Sequence, residues 1–212
     1  MASNGAMAAE VYVQAETLPP QLLPSPPAEG SAVWKQQIAQ VLQAQKHLSV
    51  SEIDAMRNEQ RVRVEMMTSV LGASFTRANL PETFAFLDHV LGDAEQISSQ
   101  DKKFFHTRRP YLTDVHVRLY VDAIDSSPAY PSGHTTDTRV LAEVLALLLP
   151  EKADIVSARA DAIAWHRVEA GVHYPVDLEA GRSLAMLIMG AMLANQDFQD
   201  DLTAAKNEIS GK

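Results

Sequence analysis

The sequence predicts an all-α fold, a helical globule of about seven or eight helices. Three observations carry that prediction. Apolar residues recur at three- and four-residue spacing through most of the chain after Ser31. Alternating apolar runs bounded by Asn-Gly or Gly-Gly, the signature of hairpins, are absent. The prolines cluster early, five of the eleven falling within residues 19–27, so the helical segments beyond are seldom interrupted.

Residues 1–30 read as an extended proline-rich arm and 31–212 as the helical domain. Leu18-Pro19-Pro20 and Leu23-Pro24-Ser25-Pro26-Pro27 lack donors and resist helix, while their leucines favour packing on the body. Met1 to Gly5 reads as a cloning remnant. Ala6-Met7-Ala8 before Ala9-Glu10 resembles a cleavage site whose basic and apolar upstream part is missing, and a periplasmic or secreted setting is the expectation.

Val33, Ile38, Val41 and Leu42 place a first helix over 31–48. Ser51 with Asp54 reads as the cap of a second, running to Met67. Pro81 suits the first turn of a third after Asn79 or Leu80, with Phe84, Leu87, Val90, Leu91 and Ala94 as its apolar stripe. A further helix is expected over 98–107. Residues 110–130 read as a long loop with a short element around 115–121; a loop of that length inside a compact domain is usually functional. Four helices follow, over 132–149, 151–170, 175–194 and 197–208.

Composition excludes several classes. With no cysteine in 212 residues, disulfide scaffolds, cysteine-ligated zinc and thiol catalysis are ruled out. A net charge of −9 argues against a general nucleic-acid or anionic-membrane binder. The longest nearly uncharged stretch, 183–196, falls short of the roughly 20 residues a membrane span needs. The apolar helices over 140–149 and 184–193 are mostly core, with surface to spare for a homo-oligomer.

Three clusters carry chemistry, each with a plain structural alternative. In Lys102-Lys103-Phe104-Phe105-His106-Thr107-Arg108-Arg109-Pro110, Lys102 and Arg109 stand seven apart and share a helix face. The alternative is a solvated basic helix end; the sharper reading pairs a point charge with a guanidinium fork for phosphate oxygens. In Tyr130-Pro131-Ser132-Gly133-His134, Ser132 caps a helix whose N-terminus also suits an anion, Gly133 allows close approach, and His134 stands beside it as a proton donor. In His166-Arg167-Val168-Glu169-Ala170-Gly171-Val172-His173-Tyr174-Pro175-Val176-Asp177, His173 lies at a helix junction with Asp177 one turn on. That carboxylate can fix the imidazole tautomer and free the other nitrogen as a nucleophile; the alternative is a capping carboxylate beside a surface histidine. Glu169, Asp137 and Arg139 read as ordinary helix-surface charges. The combined series of ten identities has a chance frequency on the order of one in a million or less.

With those residues the sequence resembles the type 2 phosphatidate phosphatase superfamily, and most closely its soluble bacterial class A non-specific acid phosphatases. The superfamily also contains vanadium-dependent haloperoxidases. The segment from Leu23 to Ser31 is similar to the proline-rich arm of those phosphatases, and Asn195 to Lys206 to their closing helix. The resemblance implies a metal-independent, vanadate-inhibited acid phosphatase acting on small phosphate esters without a cofactor. His173 would be the nucleophile forming a phosphohistidine and Asp177 its orienting carboxylate. Lys102, Arg109, Arg167, Ser132 and Gly133 would bind phosphate oxygens, and His134 would be the general acid and base. The sequence departs from the family where His166 takes the place of the usual serine before Arg167, which implies altered hydrogen bonding around the site. Vanadate-dependent halide oxidation, lipid-phosphate or diphosphate hydrolysis and a non-catalytic oxyanion-binding protein are the competing readings.

Overall fold

The computed structural model describes residues 11–123 and 127–211. The remnant and cleavage-like stretch read over 1–10, and Asp125 and Ser126 of the loop, lie outside the described residues. Within them the fold is all α, with no strand. The helices are α1 (Ala32–Ala44), α2 (Val50–Asn58), α3 (Val64–Thr68), α4 (Pro81–Phe105), α5 (Pro110–Thr113), α6 (Gly133–Leu148), α7 (Ala153–Glu169), α8 (Pro175–Leu193) and α9 (Gln196–Ser210). Seven of these have nine residues or more; α3 and α5 are about one turn each.

Helix α6 is central and packs against α4, α7 and α8. Its second half buries Val140, Leu141, Val144, Leu145 and Leu148. Its first half carries small and hydroxylated residues, which let neighbours approach closely. Gly181 of α8 illustrates this: a Cβ there would lie 2.8 Å from the Ser132 carbonyl and 2.9 Å from Thr135 Cβ. The main core joins α4, α6, α8 and α9. A smaller one, with Ile38, Val41, Ala164, Val168 and Leu178, lies between α1, α7 and α8. None of the described helices is long and apolar enough to cross a membrane.

Several element boundaries differ from the sequence expectation. The arm is broken by two 3-10 turns, Ala15–Thr17 and Pro20–Leu22, and buries Tyr12, Val13, Leu18 and Leu23 in the main core. The second helix is capped by Ser49, not Ser51: its hydroxyl accepts from Glu52 N–H, and the Glu52 carboxylate accepts from Ser49 N–H at 2.7 Å. Both serines precede an acidic residue by three, so the local pattern alone fits either frame. That helix stops at Asn58, and Val64–Thr68 forms a separate turn of helix. The two helices expected over 81–107 are one, α4, ending at His106 in the left-handed region (φ 52). Its stripe is interrupted by polar residues, but Asp93, Ser98 and Asp101 are buried on it, so the helix continues where the pattern lapses. In the 110–130 segment the regular element is Pro110–Thr113, and residues 115–121 are irregular.

Candidate active site

The three sequence clusters meet at one end of the molecule, where α6 and α8 begin and α4 and α7 finish. Gly171 makes the turn between α7 and α8. Its φ is +78, and a Cβ there would fall 2.3 Å from the Arg118 carbonyl. The turn folds back so that Val172 N–H and His173 N–H both donate to the Arg167 carbonyl at 3.2 Å. Proline at the first position of α8 then starts the next helix, and Asp177 in its first turn accepts from Tyr174 N–H at 2.9 Å. The Asp177 main-chain carbonyl accepts from Ser132 N–H at 2.9 Å, which fixes the start of α6 against the start of α8.

His173 is 2% exposed and held at both nitrogens. Arg109 Nη1 lies 3.2 Å from Nε2, and Asp177 Oδ2 lies 3.1 Å from Nδ1. Guanidinium can only donate, so Nε2 accepts; Nδ1 therefore carries the hydrogen and donates to Asp177. The tautomer with its lone pair on Nε2 follows from this geometry. Burial first, then Arg109, Lys102, Arg167 and His134, hold His173 well below the usual histidine range. Burial raises Asp177, while Tyr174 N–H, Lys102 and Arg109 favour its ionised form.

The cations differ in how they are engaged. Lys102 Nζ donates to the carbonyls of Pro128, Ala129 and Pro131 at 3.0, 3.1 and 2.6 Å. Arg109 donates to Ser127, Pro128 and Val172 carbonyls as well as to His173. The long loop thus enters the site through its backbone. Arg167 is 0% exposed, and its Nε, Nη1 and Nη2 have no acceptor among the described residues. Burial, reinforced by Arg109, pushes Arg167 down to about 10, so it stays charged at physiological pH. Burial and Arg109 likewise lower Lys102.

At the start of α6, Ser132 is the cap and lies among the clustered residues. Its Oγ accepts from Thr135 N–H at 3.3 Å and from Thr135 Oγ1 at 2.9 Å, leaving its own hydrogen to donate. The first-turn amides of Gly133 and His134 have no intrahelical acceptor. A Cβ on Gly133 would stand 3.4 Å from Lys102 Cε and from Ser98 Oγ. His134 Nε2 lies 3.0 Å from the Glu59 carbonyl. Burial and the cations Arg167, Lys102 and Arg109 lower its pKa well below the ordinary value, against the Glu59 carbonyl.

All eight residues singled out from sequence therefore converge. Asp137 is a correction: read as a surface charge, it is 5% exposed and beside Lys102, and burial with Glu95 raises it well above the carboxylate range. Sequence reasoning missed Glu59, which holds His134, His166 and Arg159, because a single glutamate after a helix carries no local signal. His166, where the resemblance leads one to expect serine, has its Nδ1 2.6 Å from Glu59 Oε2.

With this geometry in view, residues 84–200 match the PAP2 superfamily. The chain belongs to the PAP2 superfamily. Non-specific acid phosphatases from Salmonella typhi and Providencia stuartii are similar to it. The first is 26% identical over 69% of this chain and 60% of its own length; the second is 26% identical over 89% and 79%. The match thus spans three-fifths of the Salmonella protein. An acid phosphatase from Zymomonas mobilis is 27% identical over 65% of this chain and 53% of its own. A solved structure, a transmembrane PAP2-type phosphatidylglycerolphosphate phosphatase from Bacillus subtilis, shares the fold. Its TM-score is 0.55 at 20% identity, over 78% of this chain and 87% of that one.

Proposed function

We propose that this PAP2 protein is a metal-independent acid phosphatase that hydrolyses small phosphomonoesters through a phosphohistidine on His173. The observation that carries the reading is Arg167, a buried guanidinium with no acceptor among the described residues, one short turn from a histidine whose Nε2 lone pair is set by geometry. Buried donors without partners are costly, and a phosphate oxygen is the acceptor that fits a planar fork. The names of the similar proteins support the same reaction class.

In the proposed reaction the ester phosphate enters among Arg167, Lys102, Arg109, Ser132 and the Gly133 amide. Arg109 Nη1 transfers from His173 Nε2 to a phosphate oxygen and opens the line of attack. Nε2 then bonds to phosphorus as the ester P–O bond breaks, its electron pair leaving with the oxygen. His134 delivers a proton to that oxygen, and Asp177 stabilises the positive charge on His173. In the second half His134 takes a proton from water, whose oxygen attacks phosphorus and breaks the P–N bond. Phosphoryl transfer asks mainly for in-line positioning and compensation of equatorial charge, which three cations and a helix N-terminus supply. Vanadate, which adopts the pentacoordinate shape, should inhibit. A periplasmic or secreted setting suits a chain whose cysteine-free composition makes it indifferent to thiol redox state.

Alkaline-quench trapping with an ester labelled in its phosphoryl group, with chelator present, tests the reading. Wild type should retain label in an acid-labile, base-stable form, and His173→Ala none. Label that persists in His173→Ala would sink the nucleophile assignment.

A further inference from the structure

One buried carboxylate near the site takes no part in the reaction above. Glu59 follows the last turn of α2, is 4% exposed, and lies far in sequence from every motif. Its Oε2 accepts from His166 Nδ1 at 2.6 Å and its Oε1 from Arg159 Nη2 at 2.8 Å. His166 and Arg159 are seven residues apart, two turns on one face of α7. Both carboxylate oxygens are thus committed to α7, while the main-chain carbonyl of the same residue accepts from His134 Nε2 at 3.0 Å. One residue ties the end of α2 to the last turns of α7 and the first turn of α6.

The carbonyl has a definite consequence for His134. A carbonyl only accepts, so Nε2 carries hydrogen and the neutral ring keeps its lone pair on Nδ1. Nδ1 is then the atom that can take up a proton and deliver it to a leaving oxygen. The acceptor also belongs to the C-terminal end of a nine-residue helix, where partial negative charge favours an imidazolium. The groups facing His134 are Arg167, Lys102 and Arg109, which oppose its protonation, and the Glu59 carbonyl, which favours it. Those facing His166 are Glu59, Glu169, Arg159 and, more distantly, Glu52.

We infer that Glu59 is the positioning residue of the general acid: its carboxylate, clamped by His166 and Arg159, fixes the carbonyl that holds His134 with Nδ1 free for the leaving group. The inference rests on the phosphohistidine reading and adds to it. Glu59 touches neither phosphate nor the reacting atoms; it acts through His134, while its charge also favours the ionised Arg167.

The test is a leaving-group comparison joined to a spectroscopic one. Glu59→Gln preserves volume but turns one acceptor into an amide that faces a donor. His166→Ala releases the clamp without changing Glu59, and serves where the first variant folds poorly. The value of kcat/KM is measured for 4-nitrophenyl phosphate, whose leaving group needs little protonation, and for a simple alkyl phosphate, whose alkoxide requires it. Both variants should lose at least about tenfold more on the alkyl ester than on the aryl one. Nitrogen-15 spectra of the full chain, with His134 assigned from His134→Asn, should show Nε2–H dominant in wild type and a mixture in the variants. Equal losses on both esters, or an unchanged His134 tautomer, overturn the inference. If wild type hydrolyses neither ester, the phosphatase reading fails by itself, and the tautomer measurement still decides whether Glu59 positions His134.

Discussion

Two buried charges show how differently the two ends of the molecule are built. Asp93, midway along α4, is 3% exposed, and its Oδ2 accepts from the backbone N–H groups of Tyr12 and Val13 at 2.7 and 3.2 Å. The Tyr12 ring stacks on His89 at 3.9 Å between centroids, and its hydroxyl donates to Asp201. A buried charge is used there to hold the arm. Arg167 is more deeply buried and has no acceptor at all among the described residues. A satisfied buried group is an anchor; an unsatisfied one costs about 1–3 kcal/mol or more and persists where something else depends on it.

Asp101 sharpens the contrast. It too is fully buried, with neither carboxylate oxygen partnered among the described residues, but burial pushes it up to about 6, so it can take a proton and become neutral. A guanidinium has no such escape at ordinary pH. Arg167 is therefore the orphan whose charge cannot be relieved from within the protein, and an anion is the natural complement.

The comparison can be broken at several points. The largest expected effect is that of His173→Ala, which should lower phosphate release by on the order of 10^4-fold or more. Near-normal turnover would mean that the charge beside His173 serves something else. Arg167→Met comes next. Turnover should fall about 10^2- to 10^3-fold, while stability in phosphate-free buffer should rise by about 1 kcal/mol or more, since an apolar chain replaces an unsatisfied charge. Wild type should gain about 2.7 kcal/mol from inorganic phosphate at a hundred times its Kd, and the variant none. Thermal melts with and without phosphate check both, and a lower Tm for the variant in phosphate-free buffer would show that the guanidinium already has partners. Asp93→Ala should do the reverse, losing about 2–3 kcal/mol in urea unfolding as two arm amides lose their acceptor, with kcat/KM unaltered.

The smallest effect lies at the edge of the candidate site, at Glu59 and His166. Burial opposes the ionised Glu59, but His166 and Arg159 prevail and hold it below the usual carboxylate range. The Glu59 hydrogen bond raises His166. A lowered carboxylate contributes stability above its unfolded value of about 4.3, lost as pH falls through the folded pKa. A raised histidine contributes below about 6.5, lost as pH rises through its folded pKa. The pair should therefore help most between about pH 4.3 and 6.5. The Tm difference between wild type and His166→Asn should be greatest in that window, equivalent to about 1 kcal/mol or less, and shrink above it. A difference independent of pH would remove the ion pair from the account.

Much of the site was legible because its residues lie in short segments whose spacing has local meaning. Lys102 and Arg109 stand seven apart, Ser132 to His134 form a helix start, and Arg167, His173 and Asp177 span one helix junction; the helix face expected for the first pair is not formed, because α4 ends at Phe105 and Arg109 precedes α5. Helix class was equally legible from apolar periodicity. Boundaries were not: Ser49 and Ser51 offer rival caps, and polar residues on α4 disguise its continuity because they face the interior.

By itself, then, the sequence determined the all-α class and singled out the eight residues of the candidate site, since periodicity and motif spacing are properties of neighbours along the chain. Only the tertiary structure decided which of those groups are already engaged: Lys102 and Arg109 on loop carbonyls, His173 between Arg109 and Asp177, Arg167 on nothing among the described residues. It alone brought in Glu59, whose partners stand 75, 100 and 107 positions away. Hydrogen bonding and desolvation depend on what is near in space, and at those separations the chain's local pattern carries no record of it.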